Sequence, residues 1–200
     1  MVGALNELLT KEGKPTVDFD VAMRQVSRGG AAMIRIGFGL QDDHPEFEGL
    51  RQAFLQTYAQ RVCVDTVFFD GMLDVLTYCE SNHLQWGIVT NKPTYLTTPI
   101  LAALGLTERS AITVCGDTLA VAKPHPAPLL HCTTLLQLAP SDCLYVGDDE
   151  RDIQAGRAAG MHTAVANWGY IEPSITVADW HPEFITNAPE GLLRLLKEHT

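Results

Sequence analysis

The chain has 200 residues, 46% hydrophobic and 19% charged, which suits one large domain or a domain with a small attachment and excludes disorder as the main state. Lys and Arg total 14 against 24 Asp and Glu, a formal net charge of -10, so the basic face of a nucleic-acid binder is missing. No apolar run approaches the roughly 18 residues that span a bilayer; Glu7, Lys11 and Glu12 interrupt any signal-like core, and the five cysteines form no Cys-x-x-Cys pair, which together predict a cytoplasmic protein with neither membrane anchor, disulfide framework nor zinc site.

From Met1 to about Arg61 apolar residues recur at helical spacing: Val2, Leu5, Leu8 and Leu9, then Val21, Met23 and Val26, then Leu50, Phe54, Leu55 and Tyr58. Gly13-Lys14-Pro15 and the glycine-rich stretch from Gly29 to Gly39 break the pattern. Asp18 reads as a helix N-cap. Residues 1–68 are therefore expected to form a small all-helical domain. After Asp70-Gly71 the pattern changes. Short runs that are apolar on both faces, Trp86 to Thr90, Ile112 to Cys115, Cys143 to Val146 and Thr163 to Ala166, read as buried parallel strands. They alternate with helical patterns over Met72 to Asn82, Pro93 to Leu104, Pro126 to Gln137 and Asp152 to Ala159. This βαβ series predicts a doubly wound, Rossmann-like α/β core over residues 69–200.

Open parallel sheets bind ligands beyond the carboxyl ends of their strands, and three such ends are polar. Thr90-Asn91-Lys92 precedes a helix start at Pro93 and supplies a hydroxyl and an amide suited to phosphate oxygens, or to ordinary helix capping. Lys123-Pro124-His125-Pro126 holds a lysine between turn-stiffening prolines, where a solvated charge is the plain alternative. Asp148, Asp149, Glu150 and Asp152 crowd the end of the Cys143 to Val146 run. Acids at a helix N-terminus complement its dipole, which accounts for Asp149 and Glu150. An Asp at the strand tip, Asp148, points instead to a hard cation such as Mg²⁺.

The three ends, in this order, resemble the haloacid dehalogenase-like phosphatase superfamily. Its second motif is similar to Val89-Thr90-Asn91-Lys92-Pro93, its third to Lys123-Pro124-His125-Pro126, and its fourth to Val146-Gly147-Asp148-Asp149-Glu150-Arg151-Asp152. The run Ile153 to Met161 resembles the phosphoglycolate phosphatase branch. Arg28-Gly29-Gly30-Ala31-Ala32-Met33 and Trp86 to Pro93 are similar to the N-acetylmuramic acid 6-phosphate phosphatases.

The resemblance implies that the helical domain is a cap and that the substrate is a small phosphorylated metabolite. It makes Thr90 a phosphate-binding hydroxyl with Asn91 beside it, and Lys123 the cation that neutralises phosphoryl oxygens and nucleophile. Asp148 becomes a catalytic Mg²⁺ ligand, and Asp152 orients water or Lys123. Asp149 stands where relatives often carry Ser or Thr, and its role stays open. Arg28, at the glycine-rich turn of the cap, is the candidate contact for a substrate carboxylate or sugar, beside its reading as an ordinary solvated arginine.

The family's reaction also needs an aspartate nucleophile in an Asp-x-Asp-Gly-Thr motif after the first strand, and these 200 residues contain none. The Asp18-Phe19-Asp20 triplet follows no apolar strand, continues as Val21-Ala22 and falls in the cap. Met1 is accordingly expected to be internal or a misassigned start, with the first core strand lost from between the Thr90 and Asp148 strands. The chain as it stands is expected to be inactive and poorly stable. The rival readings are a phosphomutase and a catalytically dead module that binds phosphate and Mg²⁺. Haloacid dehalogenation is disfavoured, since that branch works without Mg²⁺ and lacks the Gly-Asp-Asp type of fourth motif. Gly37-Phe38-Gly39 has Asp42 in place of the third glycine of a dinucleotide fingerprint. His125, His131 and His162 lack metal-ligand spacing. No feature of the sequence specifies an oligomeric state.

Overall fold

The computed structural model describes residues 1–199, and the chain divides into two compact units, the first Met1–Thr66 and the second starting at Val67. In the first, α1 (Val2–Lys11), α2 (Phe19–Met23), α3 (Gly29–Phe38) and α4 (Phe47–Gln60) follow one another with no strand among the described residues. Leu5 and Leu9 of α1, Met33 and Ile34 of α3 and Phe54 of α4 are fully buried. They lie on the faces where α1, α3 and α4 pack together, and each buried side chain contributes about 1.5–3 kcal/mol of hydrophobic stabilisation. Asp18 caps α2 as its sequence suggests: its carboxylate accepts from the Asp20 and Val21 N–H groups at 3.0 and 3.1 Å.

The second unit runs α5 (Met72–Ser81), β1 (Ile88–Val89), α6 (Thr94–Ala103), β2 (Thr113–Val114), α7 (Ala127–Leu136), β3 (Leu144–Gly147), α8 (Glu150–Ala159), β4 (His162–Ala166), β5 (Phe184–Thr186) and α9 (Pro189–His199). All strand pairs are parallel. Ile88 faces Thr113 in the first pair, Leu144 to Gly147 align with His162 to Val165 in the second, and Ala164 to Ala166 align with Phe184 to Thr186 in the third. Leu76, Leu101 and Leu106 form one apolar cluster with Trp86 and Ile88, and Leu129, Ala155 and Ala159 form another with Val89, Tyr145 and Met161. The predicted βαβ alternation is thus present, with elements within a few residues of their expected bounds. Strand β5 and helix α9 were not anticipated from the sequence.

The parallel strands fall into two sheets, β1–β2 and β3–β4–β5. The division lies between the strand leading to Thr90 and the strand leading to Asp148, the interval in which the resemblance placed a further strand. Side chains serve the β1 edge there. The Val89 carbonyl accepts from the Lys123 ammonium at 2.7 Å and from the Tyr145 hydroxyl at 3.1 Å.

Candidate active site

The chemistry-bearing residues of the second unit sit at the carboxyl ends of β1 and β3, as an open parallel sheet requires. Beyond β1, the Thr90 N–H continues the ladder to the Val114 carbonyl at 2.9 Å. Its hydroxyl accepts from the Lys92 N–H at 3.1 Å. Asn91 reaches across to the proline-bounded loop. Its side-chain amide donates to the Lys123 carbonyl at 2.8 Å, and its Oδ1 accepts from the Lys123 N–H at 3.0 Å. The residue expected to bind phosphate beside Thr90 therefore holds the main chain of the lysine.

Lys123 turns inward. Its Nζ lies 2.7 Å from Asp152 Oδ1, 2.7 Å from the Val89 carbonyl and 2.7 Å from the Tyr145 hydroxyl. The Lys123 and Asp152 side chains are only 10% and 9% exposed, so this is a desolvated ion pair, and the ammonium also donates to the Val89 carbonyl and the Tyr145 hydroxyl. Of the two roles the resemblance offered Asp152, orienting Lys123 is the one that this contact describes.

Tyr145 is absent from the sequence reading. Its hydroxyl is also 3.4 Å from Asp152 Oδ1. Burial, followed by the charge of Asp152, pushes the phenol well above its ordinary range, so it remains an O–H that donates and accepts.

The acidic run after β3 separates into distinct environments. Asp149 is the N-cap of α8, and its carboxylate accepts from the Arg151 N–H at 3.0 Å. Asp152, at the third helical position, accepts from the Asp149 N–H at 3.2 Å, closing a capping box. Arg151 also grips Asp149 through Nε at 2.7 Å and Nη2 at 2.8 Å. Burial pushes the Asp149 carboxyl upward, but the Arg151 contacts outweigh it and hold the group below the usual carboxylate range.

Arg151 interacts with Asp148 by charge but does not grip it as it grips Asp149. Burial, with the Asp152 and Asp149 charges, raises the pKa of Asp148, and the N–H of Tyr170, which donates to Oδ2 at 2.8 Å, offsets part of the rise. Two glycines make this packing possible. A Cβ on Gly147 would collide with Asp152, and one on Gly169 would collide with Asp148.

Among the described residues no group of three or more His, Cys, Asp and Glu side chains is arranged to hold a metal ion. Asp148 is nevertheless a desolvated carboxylate that forms no salt bridge among the described residues, although the Arg151 charge is felt there. That donor set fits an ion that takes one or two protein carboxylates and its remaining ligands from water and phosphate, as Mg²⁺ does. Arg28 is exposed at the end of the 3₁₀ turn Val26–Arg28 in the helical unit. His162 is paired with Glu183 at 2.6 Å, and His125 Nδ1 accepts from the Ala127 N–H at 3.1 Å. No described helix is long and apolar enough to cross a membrane.

Comparison with known proteins finds relatives of both sequence and fold. The N-acetylmuramic acid 6-phosphate phosphatase of Pseudomonas aeruginosa is 42% identical over 184 residues, covering 92% of this chain and 81% of that protein. The phosphoglycolate phosphatase of Xanthomonas campestris pv. campestris is 38% identical over 192 residues, covering 96% and 86%. A crystal structure of a protein predicted to be a phosphoglycolate phosphatase, from Haemophilus somnus, superposes with a TM-score of 0.83 at 24% identity, over 98% of this chain and 89% of that one. The family model of the haloacid dehalogenase-like hydrolases matches residues 5–166, and it is to this family of hydrolases, on its phosphatase side, that the chain belongs.

Proposed function

We propose that the chain is the cap and the Lys-Asp part of a Mg²⁺-dependent phosphatase acting in the cytoplasm on a small phosphomonoester that bears a carboxylate or a sugar. The observation that carries this reading is the buried Lys123–Asp152 pair at 2.7 Å, set at the strand ends where β1 and β3 deliver Thr90 and Asp148. Phosphoryl transfer consists mainly of positioning and of compensating charge on the equatorial oxygens. Thr90, the second amide proton of Asn91 and the Lys123 ammonium would supply that compensation, and Asp148 would hold the metal. Bound Mg²⁺ supplies charge neutralisation for the phosphate. Residues 1–68 act as the cap, with Arg28 as its contact to the carboxylate or sugar of the substrate. Phosphoglycolate and N-acetylmuramic acid 6-phosphate, which name the relatives, both carry a carboxylate and are the substrates to try first.

A phosphatase of this kind passes the phosphoryl group to an aspartate, and these 200 residues hold no Asp-x-Asp-Gly-Thr to receive it. The 200-residue chain is therefore expected to bind phosphate and Mg²⁺ without turnover. The test is phosphate release from the two named substrates and from p-nitrophenyl phosphate, by this chain and by a fusion carrying an apolar strand that ends in Asp-x-Asp-Gly-Thr ahead of Met1. Turnover by the fusion alone, abolished by Asp148→Asn, is the expected result. Turnover by the 200-residue chain that Asp148→Asn removes would overturn its inactivity. A fusion that folds and binds phosphate but never turns over would favour the binding-module reading.

A further inference from the structure

Three protein oxygens lie 2.7 Å from the Lys123 ammonium: it donates to the Val89 carbonyl and to the Tyr145 hydroxyl, and it is ion-paired with Asp152 Oδ1. A phosphoryl oxygen that approaches the ammonium must enter this crowded shell of three oxygens and displace or loosen one of them. Giving up Asp152 means separating an ion pair in a desolvated site, which is the costliest of the three. The Val89 carbonyl is a neutral acceptor, and its cost of release is that of an orphaned carbonyl.

Tyr145 removes that cost. Its hydroxyl already lies 3.1 Å from the same carbonyl. It accepts from Lys123 through a lone pair, so its own proton is available for the Val89 oxygen or, less closely, for Asp152 Oδ1 at 3.4 Å. The ring is fixed among Leu129, Ala155 and Ala159, so the hydroxyl stands at this spot without a rotamer search.

The geometry points to Tyr145 as a positioning residue for phosphate capture: it anchors the Lys123 ammonium and satisfies the Val89 carbonyl when Lys123 turns one proton to the phosphoryl group. This inference rests on the reading of Lys123 as the phosphate-binding cation. Tyr145 touches no reacting atom; it acts through the lysine. A phenylalanine fills the same apolar site but removes the hydroxyl that fixes the ammonium in place, and it leaves the Val89 carbonyl unpaired whenever Lys123 turns away from it, so phosphate affinity falls while the resting fold persists.

The experiment is calorimetric titration of the 200-residue chain with inorganic phosphate in the presence of Mg²⁺, for wild type, Lys123→Met and Tyr145→Phe, with thermal melts of each. Loss of one net hydrogen bond predicts roughly tenfold weaker phosphate binding by Tyr145→Phe. A second readout is solvent exchange of the Lys123 ammonium in ¹⁵N-lysine-labelled, phosphate-free protein, which should be slow in wild type and several-fold faster in Tyr145→Phe. A purely structural tyrosine would lower the melting temperature and leave both readouts unchanged. If Lys123→Met abolishes phosphate binding while Tyr145→Phe binds as wild type does, the tyrosine inference is overturned and the functional reading stands. If Lys123→Met binds phosphate as tightly as wild type, both fall.

Discussion

Asn91 holds Lys123 by its main chain, not its charge: the asparagine side chain donates to the lysine carbonyl at 2.8 Å and accepts from the lysine N–H at 3.0 Å, across 32 residues of sequence. The contact ties the end of β1 to the proline-bounded loop and fixes the point from which the ammonium reaches Asp152. Asn91→Ala removes both bonds. Because Asn91 is exposed and water can replace it, the expected loss of stability is small, about 1 kcal/mol by urea denaturation. The loss of phosphate affinity should be larger, since Lys123 then samples positions away from Asp152. Unchanged phosphate affinity in a variant that is measurably destabilised would show that the loop holds Lys123 without Asn91.

Asp148 is the carboxylate expected to bind Mg²⁺. A ligand that binds only the folded state raises its stability by mass action, so Mg²⁺ at about 100 times its dissociation constant should stabilise wild type by roughly 2.7 kcal/mol. Asp148→Asn should abolish this response, and Asp149→Asn should retain it, because Asp149 faces Arg151 and the start of α8. Thermal melts with and without Mg²⁺ separate the two. A response that survives Asp148→Asn and disappears in Asp149→Asn would exchange their roles.

The fold was legible wherever local periodicity decides it. Strands β1 to β4 and helices α5 to α8 carry apolar runs bounded by turn residues, and polar strand ends picked out Thr90, Lys123, Asp148 and Asp152. Asn91 was read as a phosphate-binding neighbour of Thr90, but its partner is a main chain 32 residues away, which no spacing rule encodes. Tyr145 was missed because an aromatic in a short apolar strand reads as core; its hydroxyl becomes informative only beside Val89 and Lys123. Strand β5 is three residues long, too short for alternation to stand out. Helix α9 did carry a signal, with Pro189 at its first position followed by Leu192, Leu193, Leu195 and Leu196 at helical spacing. The role of Asp149, left open by the residue order, is set by Arg151 and the capping box.

Gly147 permits α8 to start directly against β3, since a Cβ there would collide with the Asp152 side chain. Gly147→Ala must push Asp152 away and lengthen its contact with Lys123, or shift the first turn of α8. Overpacking of this kind costs typically about 1–3 kcal/mol. The variant should also lose phosphate affinity, because an ammonium without its carboxylate is misplaced. Urea denaturation and phosphate titration measure the two effects. Wild-type values in both would mean that the strand end yields freely.

The alkaline side of the stability profile follows from buried thiols. Burial pushes the Cys132 thiol on α7 up to about 11 from its usual 9, and burial also raises Cys79 and Cys143. A group whose folded pKa lies above its unfolded value binds its proton more tightly in the native state. The associated stability is complete below about pH 9, where both states are protonated. For Cys132, between pH 9 and 11 the unfolded chain sheds the proton and the folded chain retains it, so stability declines by up to about 1.4 kcal/mol per pH unit. Cys132→Ala should show a shallower decline in urea midpoint over that interval, although its midpoint at pH 7.5 is lower because of the cavity it leaves. Thiol labelling gives an independent check: at pH 8 Cys132 should resist a maleimide in native protein and react once urea unfolds it. Equal slopes for wild type and Cys132→Ala, with rapid native labelling of Cys132, would place that thiol in contact with water.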